Sequence, residues 1–462
     1  MFLNRAAELA ALDGLADGPG GLAVVWGRRR IGKTRLLLEW CSRAGGVYTT
    51  ADQSGAETQR AYLARALAEV LPGFADVSYP DWERLLARLA ADAAARGFRG
   101  PIVLDELPYL VSASPELPSV LQRWIDHDAR RAGLIVALAG SSQRMMQGLV
   151  LAADAPLYGR ASVLIDLGPL APRHLPTALG VTGVPLVEHW AAWGGVPRYW
   201  ELAAGVPGPA FARVVALALD PLGPLFSEPE RLLLEESPPA GEVRPLLDAI
   251  GGGAHRLSEI GGRLARPATS LSRPIDRLIG MGFARRETPY GEPARGGKRS
   301  IYRISDPFLR LWFRVVAPNR AALVAGSPAS RQAVLLPHWE ALVAEAWEDL
   351  CRQAVPVMAR GALARLGPWR LAQRYWRGAE PEWDLVADAV QGTRTLLGEA
   401  WFSRRVVTRA TLEREAARLA ARPAPPPVEG RQVVRALFVP LVRKGVPRRV
   451  GEVHVVSLAE MM

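Results

Sequence analysis

Only two cysteines, Cys41 and Cys351, occur in 462 residues, and they follow no ligand pattern, so a disulfide framework is not expected. The six histidines are scattered from His127 to His454 without metal-ligand spacing. Long apolar runs are absent as well: stretches such as residues 134–140 fall far short of the ~20 residues needed to cross a bilayer. The opening MFLNRAAELAALDG places Arg5, Glu8 and Asp13 among its apolar positions, which does not read as a secretion signal. A cytoplasmic protein with no membrane partner is expected. Lysine is the scarcest charged residue, present at Lys33, Lys298 and Lys444 alone; arginine supplies the rest of the positive charge.

That charge is large. The formal net charge of +11 and pI near 10.2 attract polyanions, so nucleic acid is a natural partner to consider. The length calls for several hydrophobic cores rather than one. Short apolar strands alternate with helical stretches through the first third of the chain: GLAVVW, then residues 47–50, PIVLDE, LIVALAG and SVLIDL. Near-continuous apolar strands between helices predict an α/β fold with a mainly parallel sheet covered on both faces.

The loop after the first strand carries the chemistry. Gly27, Arg28, Arg29, Arg30, Ile31, Gly32, Lys33 and Thr34 meet GxxxxGK[ST] in full, between a strand and a helix that continues through Arg35. Glycines let successive amides face phosphate oxygens, and the helix adds the positive end of its dipole. Lys33 is expected at the β- and γ-phosphates of ATP. Thr34 is expected to ligate Mg2+, with Asp105 at the end of PIVLDE as the second protein handle and Glu106 activating water. Ser141 and Ser142, at the end of the next strand, are placed to sense the terminal phosphate, and Arg160 to offset charge there.

Residues 181–240 read as a helical lid or connector beyond a nucleotide core at 1–180. In 241–326, short helices and a glycine-rich hairpin suggest a winged helix-turn-helix. Leu271, Ile275 and Leu278 share one helical face, while Arg273 and Arg277 project from another. Such a pair suits phosphates or base edges of double-stranded DNA, with Arg285, Arg286, Lys298 and Arg299 flanking the wing. Residues 241–304 hold 12 Lys+Arg and 6 Asp+Glu, so over half of the net charge of +11 lies there. Protein docking is the competing reading of this module. Residues 327–462 form a further α/β region, where Asp384 and Glu399 end neighbouring predicted strands and Glu345 lies on the preceding helix. Three oxygen-bearing groups of this kind can hold a hard cation.

Together, GRRRIGKT, IVLDELPYL, LAGSSQRMM, PLYGRASVLIDLGPL, WGGVPRYW and YRISDPFLRLWFRVVAPN resemble the archaeal-type AAA/STAND ATPase family with a C-terminal domain of formerly unknown function. The resemblance implies the roles already given to Lys33, Thr34, Asp105 and Glu106, phosphate sensing by Ser142 and Arg160, and a lid motif at residues 195–199. It also implies a winged helix and a restriction-endonuclease-like C-terminal domain. In that domain a lysine follows the second carboxylate by two residues; here the position is Trp401. A tryptophan supplies no ammonium beside a phosphodiester, so a vestigial site is expected. The expected function is a Mg2+-dependent regulatory ATPase coupled to DNA, with a protein-interaction adaptor and an ATP-controlled nuclease as alternatives. A regulatory protein or self-association is a further expected partner.

Overall fold

In the computed structural model, which describes residues 3–236, 243–293, 299–443 and 445–462, the apolar segment Gly21–Trp26 forms β1. It is joined by β2 (Val47–Thr50), β3 (Pro101–Asp105), β4 (Ile135–Gly140) and β5 (Ala161–Asp166) in one sheet of order β2-β3-β4-β1-β5. Every pairing in this sheet is parallel. The middle strands β3 and β4 are buried along their whole length, which is why they read as unbroken apolar runs rather than alternating ones. Trp40, Trp82 and Leu89 on the flanking helices and Phe74 in a turn between two of them are buried in the core, and the indole of Trp82 donates to the Ser114 hydroxyl at 2.8 Å. In this topology β1 and β3 flank β4, and their carboxyl ends open on the same edge, where ligands of open α/β sheets bind.

The chain divides into two compact units. The first comprises residues up to Leu170 together with Val196–Arg198; the second comprises Ala171–Gly195 and Tyr199 onward. The helices expected in 181–240 begin with Val184–Trp193 and end with Glu228–Glu236. They contribute the buried rings of Trp190, Trp193, Tyr199 and Trp200 to the second unit's interior, where Tyr199 packs on Phe308 with centroids 4.7 Å apart.

Beyond them come helices Arg244–Gly251, Leu257–Leu264 and Ser272–Gly280, followed by the antiparallel hairpin of β6 (Ala284–Glu287) and β7 (Ile301–Ile304). The expected chain break at Pro238, Pro239 and Gly241 lies outside the described residues, as does Lys298.

A 27-residue helix, Pro328–Ala354, precedes a second sheet. Its strands are β8 (Gln373–Arg377), β9 (Glu380–Asp388), β10 (Arg394–Ala400), β11 (Gln432–Val439), β12 (Arg449–Val450) and β13 (Val453–Ser457), in the order β12-β13-β11-β10-β9-β8. The β8-β9-β10 side is antiparallel, whereas β10-β11-β13 is parallel; helix Arg409–Ala421 makes the crossover from β10 to β11. The two-residue β12 is too short to leave a periodic trace in the sequence.

Candidate functional site

The loop that follows β1 is shaped by its glycines. Gly27 has φ +147, and a Cβ there would lie 2.5 Å from the carbonyl oxygen of Leu167, so no side chain fits. Gly32, with φ +99, caps helix Lys33–Ala44 in a conformation that a side chain would strain. Between them the chain curls tightly enough that even Arg30 is left-handed, with φ 66. The Lys33 ammonium is drawn back over this curl, donating to the Gly27 carbonyl at 2.7 Å and the Arg28 carbonyl at 3.3 Å. Arg29 reaches the Tyr109 hydroxyl at 3.1 Å.

The acidic pair comes from β3. Asp105, 1% exposed, ends the strand, and its Oδ2 accepts from the Thr34 hydroxyl at 2.9 Å and from the Tyr48 hydroxyl at 2.7 Å. Its Oδ1 accepts from the Glu106 amide at 2.9 Å. Glu106 then turns left-handed at φ 57 and ψ 44, which sends the two consecutive carboxylates in different directions. The Glu106 carboxylate is met by Ser141 at the end of β4, whose hydroxyl donates to Oε1 at 2.5 Å and whose amide reaches Oε2 at 3.3 Å. Lys33, Thr34, Asp105, Glu106 and Ser141 therefore form one constellation at the carboxyl edge of the sheet.

Two of the other expected phosphate-sensing residues are placed differently. The Ser142 hydroxyl accepts from the Met145 amide at 3.4 Å, at the start of the next helix, and leaves Glu106 to its neighbour. Arg160 forks onto Asp126, with Nε and one terminal nitrogen each 2.9 Å from a carboxylate oxygen, and also donates to the Pro156 carbonyl at 3.0 Å. Asp126 and Pro156 are remote in sequence from the phosphate loop, and an arginine finger from this position would first have to leave that fork.

Arg5 and Tyr48 were not read from the sequence as site residues, and Pro197 only as part of the lid motif at 195–199. Arg5 is 7% exposed and donates to the Ile31 carbonyl at 3.0 Å and the Gly168 carbonyl at 2.8 Å, while pairing with Glu8 at 3.0 Å. It thus ties the amino-terminal helix to the phosphate loop. The available signal was a left-handed NR step before an arginine–glutamate pair at i,i+3, which also reads as ordinary surface charge. The Pro197 ring lies 3.8 Å from where a Cβ on Gly32 would sit, which explains why Val196–Arg198 group with the first unit.

In the second unit, the hairpin arginines turn inward. Arg285 donates to Asp349 at 2.6 Å and to Glu287 at 2.7 Å, and Arg286 to the Ser300 hydroxyl at 2.9 Å. Arg299 pairs with Glu292. Glu345 receives Arg303 at 2.5 Å, Arg314 at 3.0 Å and Arg310 at 3.5 Å. Burial alone would raise its pKa, but these three guanidinium groups hold it down at about 2. Asp349 is likewise held well below the usual carboxylate range, against its own burial, by Arg285, Arg310 and Arg352. Glu345 is a core counter-ion here, and the helix carboxylate that faces the strand acids is Glu348, one turn further on. Burial and then Asp384 raise the pKa of Glu348; burial and then Glu399 raise that of Asp384.

Asp384 accepts from the Ala400 amide at 3.0 Å, and Glu399 from Arg422 at 2.5 Å. Among the described residues no group of three or more His, Cys, Asp or Glu side chains is arranged to hold a metal ion. Trp401 packs against the apolar core of this region. Leu271, just before helix Ser272–Gly280, and Ile275 and Leu278 on it are fully buried, while Arg273 is exposed.

A phosphate-cradling loop between β1 and its helix, with an acidic pair at the end of β3 on the far side of β4, defines the first unit as a P-loop nucleotide-binding domain. Residues 2–202 match the family model of an ATPase domain predominantly from Archaea, and the first unit is an archaeal-type P-loop ATPase domain. Residues 312–416 match a second model, described as archaeal and bacterial proteins of unknown function. An uncharacterized protein of Methanocaldococcus jannaschii is 29% identical over 331 residues, 71% of either chain. The Walker-type ATPase of Pyrococcus abyssi shares the fold with a TM-score of 0.53 at 20% identity, over 68% of this chain and 96% of that one. Among the described residues no helix is long and apolar enough to cross a membrane.

Proposed function

We propose that this chain is a magnesium-dependent regulatory ATPase whose nucleotide state controls engagement of double-stranded DNA. The observation that carries the catalytic half is the bond from Thr34 to Asp105 Oδ2 at 2.9 Å, beside Lys33 and Glu106. A hydroxyl and a carboxylate at the mouth of a phosphate loop are the hard oxygen donors that suit Mg2+, which takes one or two protein ligands and fills its octahedron with water and phosphate oxygens.

When bound, the ion would neutralise charge on the β- and γ-phosphates. Lys33 exchanges its loop carbonyls for phosphate oxygens, the loop amides hold the chain of phosphates, and Glu106 orients the attacking water and accepts its proton. Core residues 1–180 and a lid at 181–240 are the proposed limits of this machinery.

The DNA-facing half is proposed for a winged helix in 241–326. Its support is the amphipathic helix Ser272–Gly280, with apolar residues in the core and Arg273 outside. Because Arg285 and Arg286 are bonded within the second unit, the exposed Arg273 is the principal contact in this reading, with the half-buried Arg277 one turn further on. Residues 327–462 are read as a restriction-endonuclease-like domain that binds without cutting, since Arg422 and Arg352 occupy the surroundings of Glu399 and Asp384.

The test is a duplex-DNA titration with the full chain in nucleotide-free, ADP and non-hydrolysable ATP forms, at two salt concentrations. The proposal expects salt-sensitive binding whose affinity changes with nucleotide. Equal affinity in the three forms removes the switch. Absence of binding at low salt favours a protein partner for the same module.

A further inference from the structure

We infer that Tyr48 is a positioning residue for the magnesium side of the nucleotide site, an inference that rests on the ATPase reading above. Tyr48 lies on β2, the edge strand beside β3, in register with Val103, two residues short of the Thr50–Asp105 pair. Two residues of strand span about 6.6 Å, a gap that a tyrosine side chain bridges and a serine or threonine does not. Its hydroxyl donates to Asp105 Oδ2 at 2.7 Å, the same oxygen that takes the Thr34 hydroxyl at 2.9 Å. With the Glu106 amide on Oδ1 at 2.9 Å, this carboxylate takes donors from the phosphate-loop helix, from β2 and from the residue that follows it.

The consequence follows from burial. Asp105 is 1% exposed, so water does not readily replace a lost donor, and the carboxylate would turn toward whichever donor remained. Thr34 has to present its oxygen to the metal while keeping its proton on Asp105. Tyr48 fixes the acceptor so that both can happen in one geometry. Partners that orient ligating carboxylates without touching the metal act in this way elsewhere, and their loss weakens metal binding or activity by about 10–100-fold.

The experiment compares the full-length parent with Tyr48→Phe, which keeps the ring and removes one oxygen. Binding of a fluorescent, non-hydrolysable ATP analogue is titrated first in EDTA and then as a function of Mg2+. Metal-free affinity is expected to remain within about twofold of the parent, while the Mg2+ concentration for half-maximal tightening rises roughly tenfold. An unchanged Mg2+ requirement overturns the inference. Equal weakening in both arms also overturns it, because Tyr48 would then serve the packing of the whole site. Parental binding that ignores Mg2+ instead contradicts the metal reading itself, and parental binding unaffected by Lys33→Ala contradicts the P-loop reading, so the levels are told apart.

Discussion

Ser141 holds Glu106 by two bonds, hydroxyl to Oε1 at 2.5 Å and amide to Oε2 at 3.3 Å, so the residue proposed to order water, just past β3, is aimed from the end of β4. The amide bond survives replacement of the side chain, but the hydroxyl bond does not. Ser141→Ala should therefore lower kcat by about tenfold with ATP-analogue affinity retained, a loss in keeping with displaced general-base geometry. Steady-state turnover and a binding titration check this; a loss of affinity with kcat intact would make Ser141 a binding residue.

Glu345 is the counter-ion of three arginines, and Glu345→Gln leaves those guanidinium groups buried with their partner removed. Breaking a buried pair of this kind costs about 3–5 kcal/mol, measurable at pH 7 by denaturant unfolding followed through tryptophan fluorescence.

The same residue sets an acid limit. Its folded pKa of about 2 lies below the ordinary 4.5, so its contribution is present above pH 4.5 and is lost as pH falls toward 2. The parent should lose stability over that window, and Glu345→Gln should show a shallower loss. Identical pH profiles would mean that the cluster does not hold in solution.

For the proposed DNA face, replacing Arg273 and Arg277 with alanine should weaken duplex binding at every sequence and lower the salt slope by up to about two units. An unchanged slope places the contacts elsewhere.

The carboxyl-terminal carboxylates give a further expectation. Asp384 and Glu399 are engaged by the Ala400 amide and Arg422, and the position two beyond Glu399 is Trp401. Linear and supercoiled DNA should survive Mg2+ or Mn2+ with or without ATP. Nicking by the parent that disappears in D384A or E399A would show a working nuclease.

The phosphate loop and the acidic pair were legible in the sequence because each is a short local pattern tied to a strand end. Strands β3 and β4 were legible for a related reason, since burial on both faces forces an unbroken apolar run. Tyr48 was not, because VYTT gives no sign that its phenol spans to Asp105. The hairpin arginines illustrate the opposite error: Arg285 and Arg286 look like solvent-facing positive charge, yet their partners Asp349 and Ser300 lie 64 and 14 residues away. Helical spacing also could not separate Glu345 from Glu348, one turn apart, until the arginines on one and Asp384 near the other were visible. Pairings of distant residues are set by packing, and a single sequence carries no local trace of them.

The central claim is that Lys33 and Glu106 perform ATP hydrolysis in this loop. The most direct measurement is Mg2+-ATP turnover by the parent, Lys33→Ala and Glu106→Gln, alongside the amount of unhydrolysed ATP retained by each. Turnover is expected in the parent, with most of it lost in Lys33→Ala. Glu106→Gln is expected to hold ATP and cleave it about 100-fold or more slowly. Parental turnover undiminished in Lys33→Ala would contradict the claim.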